Sequence, residues 1–283
     1  MKKIIVIGSS NIDMVVRTSH LPAPGETILG GEFFMNQGGK GANQAVAVKR
    51  LGGNLIFVEK LGNDILGQQS VDYFKKEGID TKYITLDENS ASGANMLLNE
   101  QDVDKVVEEM CEGDILLMQL EIPIQTVEYA ARRAFEKGVK VVLNPAPARS
   151  LPKELLRYLF MITPNRIEAE MLTGIKIVND ADAERVAKEI SAMGVQNIIV
   201  TLGSKGCLVR EGDTSYCVDA FKVEPVDTTA AGDTFNGALC VGLAEGMNLR
   251  QAAVMASKAS SVAVTRMGAQ SSIPHRKELD LNE

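Results

Sequence analysis

The sequence predicts an α/β fold, a mostly parallel central sheet flanked by helices on both faces, with a small β appendage. Three observations predict it. Short apolar runs recur along the chain, amphipathic stretches separate most of them, and polar clusters follow the ends of the runs. Strands are expected at 3–7, 55–58, 115–120, 139–143, 160–163 and 198–202. Helices are expected at 42–51, 66–77, 126–137, 181–193 and 250–265, where apolar residues recur at helical spacing. Residues 14–35 break this alternation with Leu-Pro-Ala-Pro-Gly and short extended runs, and read as a β excursion from the main body. Residues 207–210 and 215–218, parted by Glu-Gly-Asp-Thr, read as a hairpin. With no repeat, low-complexity tract or linker, residues 1–283 form one domain.

Composition narrows the function. Of 283 residues, 45% are hydrophobic and 24% charged, with a net charge of −7. That balance supplies a core and speaks against a nucleic-acid partner, since phosphate backbones reward clustered Lys and Arg. No apolar run reaches membrane-spanning length, and the first apolar run is too short for a signal peptide, so a cytoplasmic protein is expected. The 4 Cys and 2 His show no metal-ligand spacing. The cysteines (Cys111, Cys207, Cys217, Cys240) read as reduced, buried thiols.

In parallel sheets, ligands gather beyond the carboxyl ends of strands. The polar clusters here stand at those ends: Gly8 to Asp13, then Glu121, Asn144, Asn165 and Gly203. The most informative run is Asp227-Thr-Thr-Ala-Ala-Gly-Asp233-Thr-Phe-Asn-Gly237. It places Gly232 and Asp233 in the first turn of a helix, where free N–H groups and the dipole attract an anion. A carboxylate beside a phosphate has one natural task, to take a proton from an attacking hydroxyl. Alone, Asp233 is equally well an acidic first-turn residue.

Gly38-Gly39-Lys40-Gly41-Ala42-Asn43-Gln44 opens another helix. It is not a Walker A loop, because Lys40 is followed by Gly41 rather than Ser or Thr. Its glycines permit close approach of a ligand, and Lys40 and Asn43 can donate to hydroxyls; a glycine turn with a solvated lysine is the plain alternative. Asn11 and Asp13 share a side if the chain there is extended, and could grip adjacent sugar hydroxyls, or simply form a polar turn. No Gly-x-Gly-x-x-Gly follows the first strand, which disfavours a dinucleotide site. Asn165 and Glu168 make a capping-box start and are also suited to steering Mg²⁺ through water. Thr201 to Gly206 is a strand end and glycine turn that could underlie a nucleotide.

Together, in this order, these segments resemble the ribokinase-like carbohydrate kinases, from about residue 3 to residue 276. The most specific portions are Gly38 to Gln44 and Thr228 to Gly237. The resemblance implies a ribokinase-like α/β fold with a small β lid. It implies ATP-dependent phosphorylation of the 5-hydroxyl of D-ribose, with Asp233 as base. Ala230, Ala231 and Gly232 would form the anion hole. Asn11, Asp13, Gly39, Lys40, Asn43 and Glu121 would hold the sugar. ATP would lie on Asn165, Glu168, Thr201, Gly203, Ser204, Lys205, Gly206 and Gly232, with Ser257 near the adenine, where the family often carries asparagine. Asp227, Thr229, Ala263, Arg266, Gly268 and Ser272 match the surroundings of an activating K⁺, and Mg²⁺ would accompany ATP. The partners implied are a sugar and ATP, with a homodimer.

One departure is large. The family continues after Ser92 through two further lid strands, whereas this chain passes straight from Ser92-Gly93 to Ala94-Asn95, omitting about 20 residues, the size of a hairpin. The lid then keeps only residues 14–35, and weaker sugar binding, wasteful ATP hydrolysis and impaired dimerisation are expected. Kinases of fructose, adenosine or a deoxy-sugar acid, and a binding module with little turnover, are the alternatives.

Overall fold

The computed structural model describes residues 1–279. From the N-terminus, β1 is Lys3–Ile7, followed by β2 (Asn11–Arg17), β3 (Glu32–Gly38) and α1 (Lys40–Arg50). Next come β4 (Asn54–Gly62), α2 (Ile65–Lys76), β5 (Ile84–Asp87), α3 (Glu100–Val107), β6 (Ile115–Met118) and α4 (Ile124–Glu136). The chain continues with β7 (Lys140–Leu143), α5 (Lys153–Tyr158), β8 (Met161–Ile162), α6 (Arg166–Thr173), α7 (Asp180–Ala192) and β9 (Asn197–Thr201). It closes with β10 (Cys207–Glu211), β11 (Thr214–Val218), α8 (Ala231–Ala244) and α9 (Leu249–Ala263).

Nine strands form one sheet in the order β11-β10-β9-β8-β7-β6-β1-β4-β5. The seven from β5 to β9 run parallel, and the β10–β11 hairpin adds an antiparallel edge. Both faces are covered, which is why the inner strands read as unbroken apolar runs. Period-2 alternation divides them: Ile4 and Val6 enter the core beneath α1, α8 and α9, while Ile5 and Ile7 enter the core beneath α3, α4 and α7. The chain leaves β1 towards β4 on one side and β6 on the other, so β1 is the switch point where an open α/β sheet leaves a crevice.

The appendage is a separate two-stranded antiparallel sheet, β2 with β3. It begins at Asn11 and ends at Gly38, three residues beyond each end of the expected segment 14–35. The polar residues Asn11 and Asp13 therefore lie in a strand rather than in a turn after one. No strand stands between β5 and α3: Gly93, at φ 85°, leads into a 3₁₀ turn at Ala94–Leu97. Two of the four cysteines correct the expectation of buried thiols. Cys111 sits in a turn beyond α3, and Cys217 alternates outward on the edge strand β11, so both are exposed, while Cys207 and Cys240 are buried.

Candidate active site

The crevice at the carboxyl ends of β1, β6, β7 and β8 is bounded by the N-termini of α1 and α8. Asp233 lies in the first turn of α8, only 6% exposed. Asn43 Nδ2 donates to its Oδ2 at 2.9 Å, and Gln44 Nε2 donates to its Oδ1 at 3.0 Å. Burial pushes the Asp233 carboxyl above the usual carboxylate range and Glu121 adds to the rise, while Lys40, Asn43 and Gln44 hold it down. The two amide donors and Lys40 thus oppose, without cancelling, the pull of burial towards the neutral form.

The start of α8 is irregular. Ala230, the residue before it, has φ 58°, the one non-glycine residue with positive φ among those described. Such strain persists where the surroundings impose it, and it turns the chain sharply into the helix. No side chain caps α8. The Ala231 N–H reaches the Thr228 carbonyl at 3.2 Å. Of the expected anion hole, Ala231 N–H is thus engaged, while the Ala230 and Gly232 N–H groups have no backbone acceptor. Asn236 anchors this turn, donating to Gly232 O at 2.8 Å and accepting from Thr163 Oγ1 at 2.6 Å.

Across the crevice, Gly39 turns at φ 86° into α1, and a Cβ there would lie 2.7 Å from the Asn11 nitrogen. Only glycine admits the start of β2 so close. Glu121 Oε2 accepts from the Ser9 hydroxyl and from the Lys40 N–H at 2.9 Å, so the carboxylate fixes the start of α1. Asn43 is buried and its Oδ1 has no partner, a free acceptor suited to a hydroxyl. Asn11 Oδ1 accepts from Asn95 Nδ2 at 2.8 Å. Burial, then Glu121, raises the carboxyl of Asp13.

The other expected residues divide into groups. Asn165 and Glu168 form the capping box of α6, with Glu168 Oε2 accepting from Asn165 N at 2.8 Å and Oε1 from Asn165 Nδ2 at 2.7 Å. Thr201 bridges Asn165, and a 3₁₀ turn at Gly203–Lys205 leads through Gly206 into β10. Gly203, Ser204 and Lys205 are exposed, and Lys205 Nζ lies 3.9 Å from Asp180. Ser257 is buried on α9 against Cys207. Asp227 accepts from Thr229 N and Oγ1 and from Gly268 N, contacts that hold it below the usual carboxylate range. Ala263 and Ser272 are buried, and Arg266 is turned outward onto Glu278.

Sequence reasoning missed Gln44, Gln119 and Asn95 as site residues. Gln44 stands beside Asn43 in the glycine-rich helix start, which was the available signal. Gln119 precedes Glu121 at the end of β6, and Asn95 stands in the segment after Ser92, but neither position alone marks a contact with the site.

Comparison with known proteins matches a family model described as pfkB family carbohydrate kinase to residues 1–114 and 91–276. The chain is 42% identical to the ribokinase of Haemophilus influenzae over 296 aligned positions, covering 98% of this chain and 97% of the relative. That alignment is longer than the 283 residues here, so more than a dozen positions of the relative have no counterpart. Among solved structures, the ribokinase of Thermotoga maritima matches with a TM-score of 0.87 and 37% identity, over 99% of this chain and 98% of the other. The ribokinase of Arabidopsis thaliana complexed with ribose and ATP matches with a TM-score of 0.90 and 28% identity, over 98% and 97%.

Proposed function

The chain belongs to the pfkB family of carbohydrate kinases, and from that premise we propose that it transfers the terminal phosphoryl group of ATP to the 5-hydroxyl of D-ribose. The observation that carries this reading is Asp233, a buried carboxylate in the uncapped first turn of α8, facing the polar start of α1. The sugar lies against Asn11, Asp13, Gly39, Lys40 and Asn43, with the remaining oxygen of Glu121 as a further acceptor. Asp233 takes the hydroxyl proton as that oxygen attacks the γ-phosphorus, and ADP departs. Gly232 and the dipole of α8 receive the charge on the transferred group.

ATP lies along Thr201 to Gly206, with Ser257 on the adenine side. The residues present suit the cations implied by the resemblance. Asn165 and Glu168 satisfy each other's N–H groups, which leaves carboxylate lone pairs as acceptors for metal-bound water, the usual second contact of Mg²⁺. Asp227 stays ionised under Thr229 and Gly268, beside the loop that carries Arg266, Gly268 and Ser272, and would hold K⁺ with backbone carbonyls. When bound, the cations neutralise phosphate charge.

The β2–β3 sheet serves as the lid. Its Met14 and Val16 stand opposite Met35 and Phe33, each 47–60% exposed, and this apolar face supports pairing with a second copy of the chain. No described helix is long and apolar enough to cross a membrane, and a cytoplasmic location fits the substrates.

The test measures ADP and labelled sugar phosphate together, with ATP, Mg²⁺ and K⁺, against ribose, fructose and adenosine. Ribose-dependent ADP matched by ribose phosphate supports the reading. Matched turnover on adenosine or fructose alone overturns the assignment of ribose, and ADP release without any sugar phosphate overturns the assignment of a productive kinase.

A further inference from the structure

Gln44 occupies an unusual position for an amide. It is wholly buried on α1, and each polar atom of its side chain is engaged. Nε2 donates to Asp233 Oδ1 at 3.0 Å and to Asn144 Oδ1 at 3.1 Å, while Oε1 accepts from Gln119 Nε2 at 2.5 Å. Gln119 stands just past β6 and is also wholly buried; Asn144 stands just past β7 and is 7% exposed. The amides thus form a chain across the ends of two parallel strands, and it finishes on the carboxylate of α8.

We propose that Gln44 is a positioning residue for Asp233, and that the Gln119–Gln44 pair sets which edge of the carboxylate faces the sugar hydroxyl. The inference rests on the kinase reading above. The donor from Gln119 requires Gln44 to turn its oxygen towards β6, and so its NH₂ group must face Asp233 and Asn144. Asn43 and Gln44 then occupy one lone pair on each Asp233 oxygen, so two adjacent side chains of α1 pin the plane of the α8 carboxylate. An amide neither takes up nor releases a proton near neutrality, so it orients the base without competing for the hydroxyl's proton. Lys40, the charged donor nearby, and Glu121 and Glu168, the other carboxyls facing Asp233, supply field but no such bond.

The experiment compares the parent chain with Gln44→Met, which keeps length and removes both hydrogen-bonding atoms, and Gln44→Glu, which keeps shape and replaces the donor by a second carboxyl. In Gln44→Met, kcat falls by up to about 100-fold, the scale of a slightly misplaced reacting group, while KM for ribose and for ATP hold. The acidic limb of the kcat profile moves to higher pH, because the anion has lost a donor, and moves further in Gln44→Glu, where two carboxyls share the site. The same interaction is read without turnover by following the ¹³C resonance of the Asp233 carboxyl through a pH titration. Its midpoint rises in Gln44→Met. An unchanged midpoint overturns the proposal, as does a loss of kcat matched by equal losses in both KM values and in thermal stability. Because the titration needs no substrate, a parent chain inactive on ribose would overturn the kinase reading and leave the positioning of Asp233 to be decided by its midpoint.

Discussion

Gly237 lies so close to α1 that a Cβ built on it would sit 2.6 Å from the Cβ of Ala47 and 3.1 Å from the Gln44 carbonyl. Gly237 is one helical turn beyond Asp233, so this contact sets the spacing across which Asn43 and Gln44 reach the base. Gly237→Ala must push α8 from α1. It is expected to cost about 1–3 kcal/mol, the usual penalty of overpacking, and to lower kcat. Adding Ala47→Gly restores the missing space, so recovery of both melting temperature and kcat in the double variant is the expected outcome. Independent losses in the two variants would refute the contact as their cause.

Asp233→Asn keeps the shape of the base and removes its ability to take a proton. Turnover is expected to drop by about 10²–10⁴-fold, with ribose and ATP binding, measured by calorimetry, close to the parent's. Near-normal turnover would remove Asp233 from the role of base.

The sheet was legible because its inner strands bury both faces and so read as continuous apolar runs; β1 falls at residues 3–7 as expected. What escaped is what lacks that pattern. β5 is a half-buried edge strand, Ile-Thr-Leu-Asp, and α3 carries its apolar residues only at Val103, Val106 and Val107 among charges. β2 hid its first residues because Asn11 and Asp13 are polar where a core strand would be apolar. Asp233 and the two helix starts were legible as local motifs. The amide chain through Gln119, Gln44 and Asn144 was not, because it exists only once residues distant in the chain are folded together.

Glu59 illustrates the same limit. It reads as an ordinary charged strand residue, yet it is wholly buried on β4, beside the Ser10 hydroxyl, with no hydrogen bond of ordinary geometry to either oxygen. Burial raises its carboxyl well above the usual range, and Ser10 offsets this only in part. A carboxyl raised in the folded state favours folding fully below the unfolded value of 4.5, and that contribution is lost as pH climbs through the folded value. Glu59→Met therefore stabilises the chain at pH 8, by about 1–3 kcal/mol, the cost of an unsatisfied buried polar group, and has much less effect at pH 5. Thermal melts at both pH values check this; equal gains at each would show that Glu59 does not titrate with folding.

The connection between β5 and α3 is tied down at both ends, and its far end reaches Asn11. At the near end, Asp64 accepts from the Ser92 hydroxyl, caps α2 through Gly67 and accepts from Ser92 N at 2.9 Å, contacts that hold its carboxyl down to about 2, the hydroxyl most of all. At the far end, Asn95 is buried, accepts from Ser10 N at 3.0 Å and donates to Asn11 Oδ1 at 2.8 Å. Asn11 opens β2 and is one of the residues proposed above to hold the sugar. Asn95→Ala removes the partner of the Ser10 N–H and frees the Asn11 side chain, at the expense of about 1 kcal/mol per bond. Because neither group touches the phosphates or Asp233, the loss falls on sugar binding: KM for ribose rises roughly fivefold or more, while KM for ATP and kcat stay near the parent's. Sugar-independent ATP hydrolysis should rise as well, since a loosened lid strand admits water to the crevice. Steady-state kinetics with each substrate varied in turn separates these effects, and a rise in KM for ATP equal to that for ribose would place Asn95 in the general stability of the fold instead.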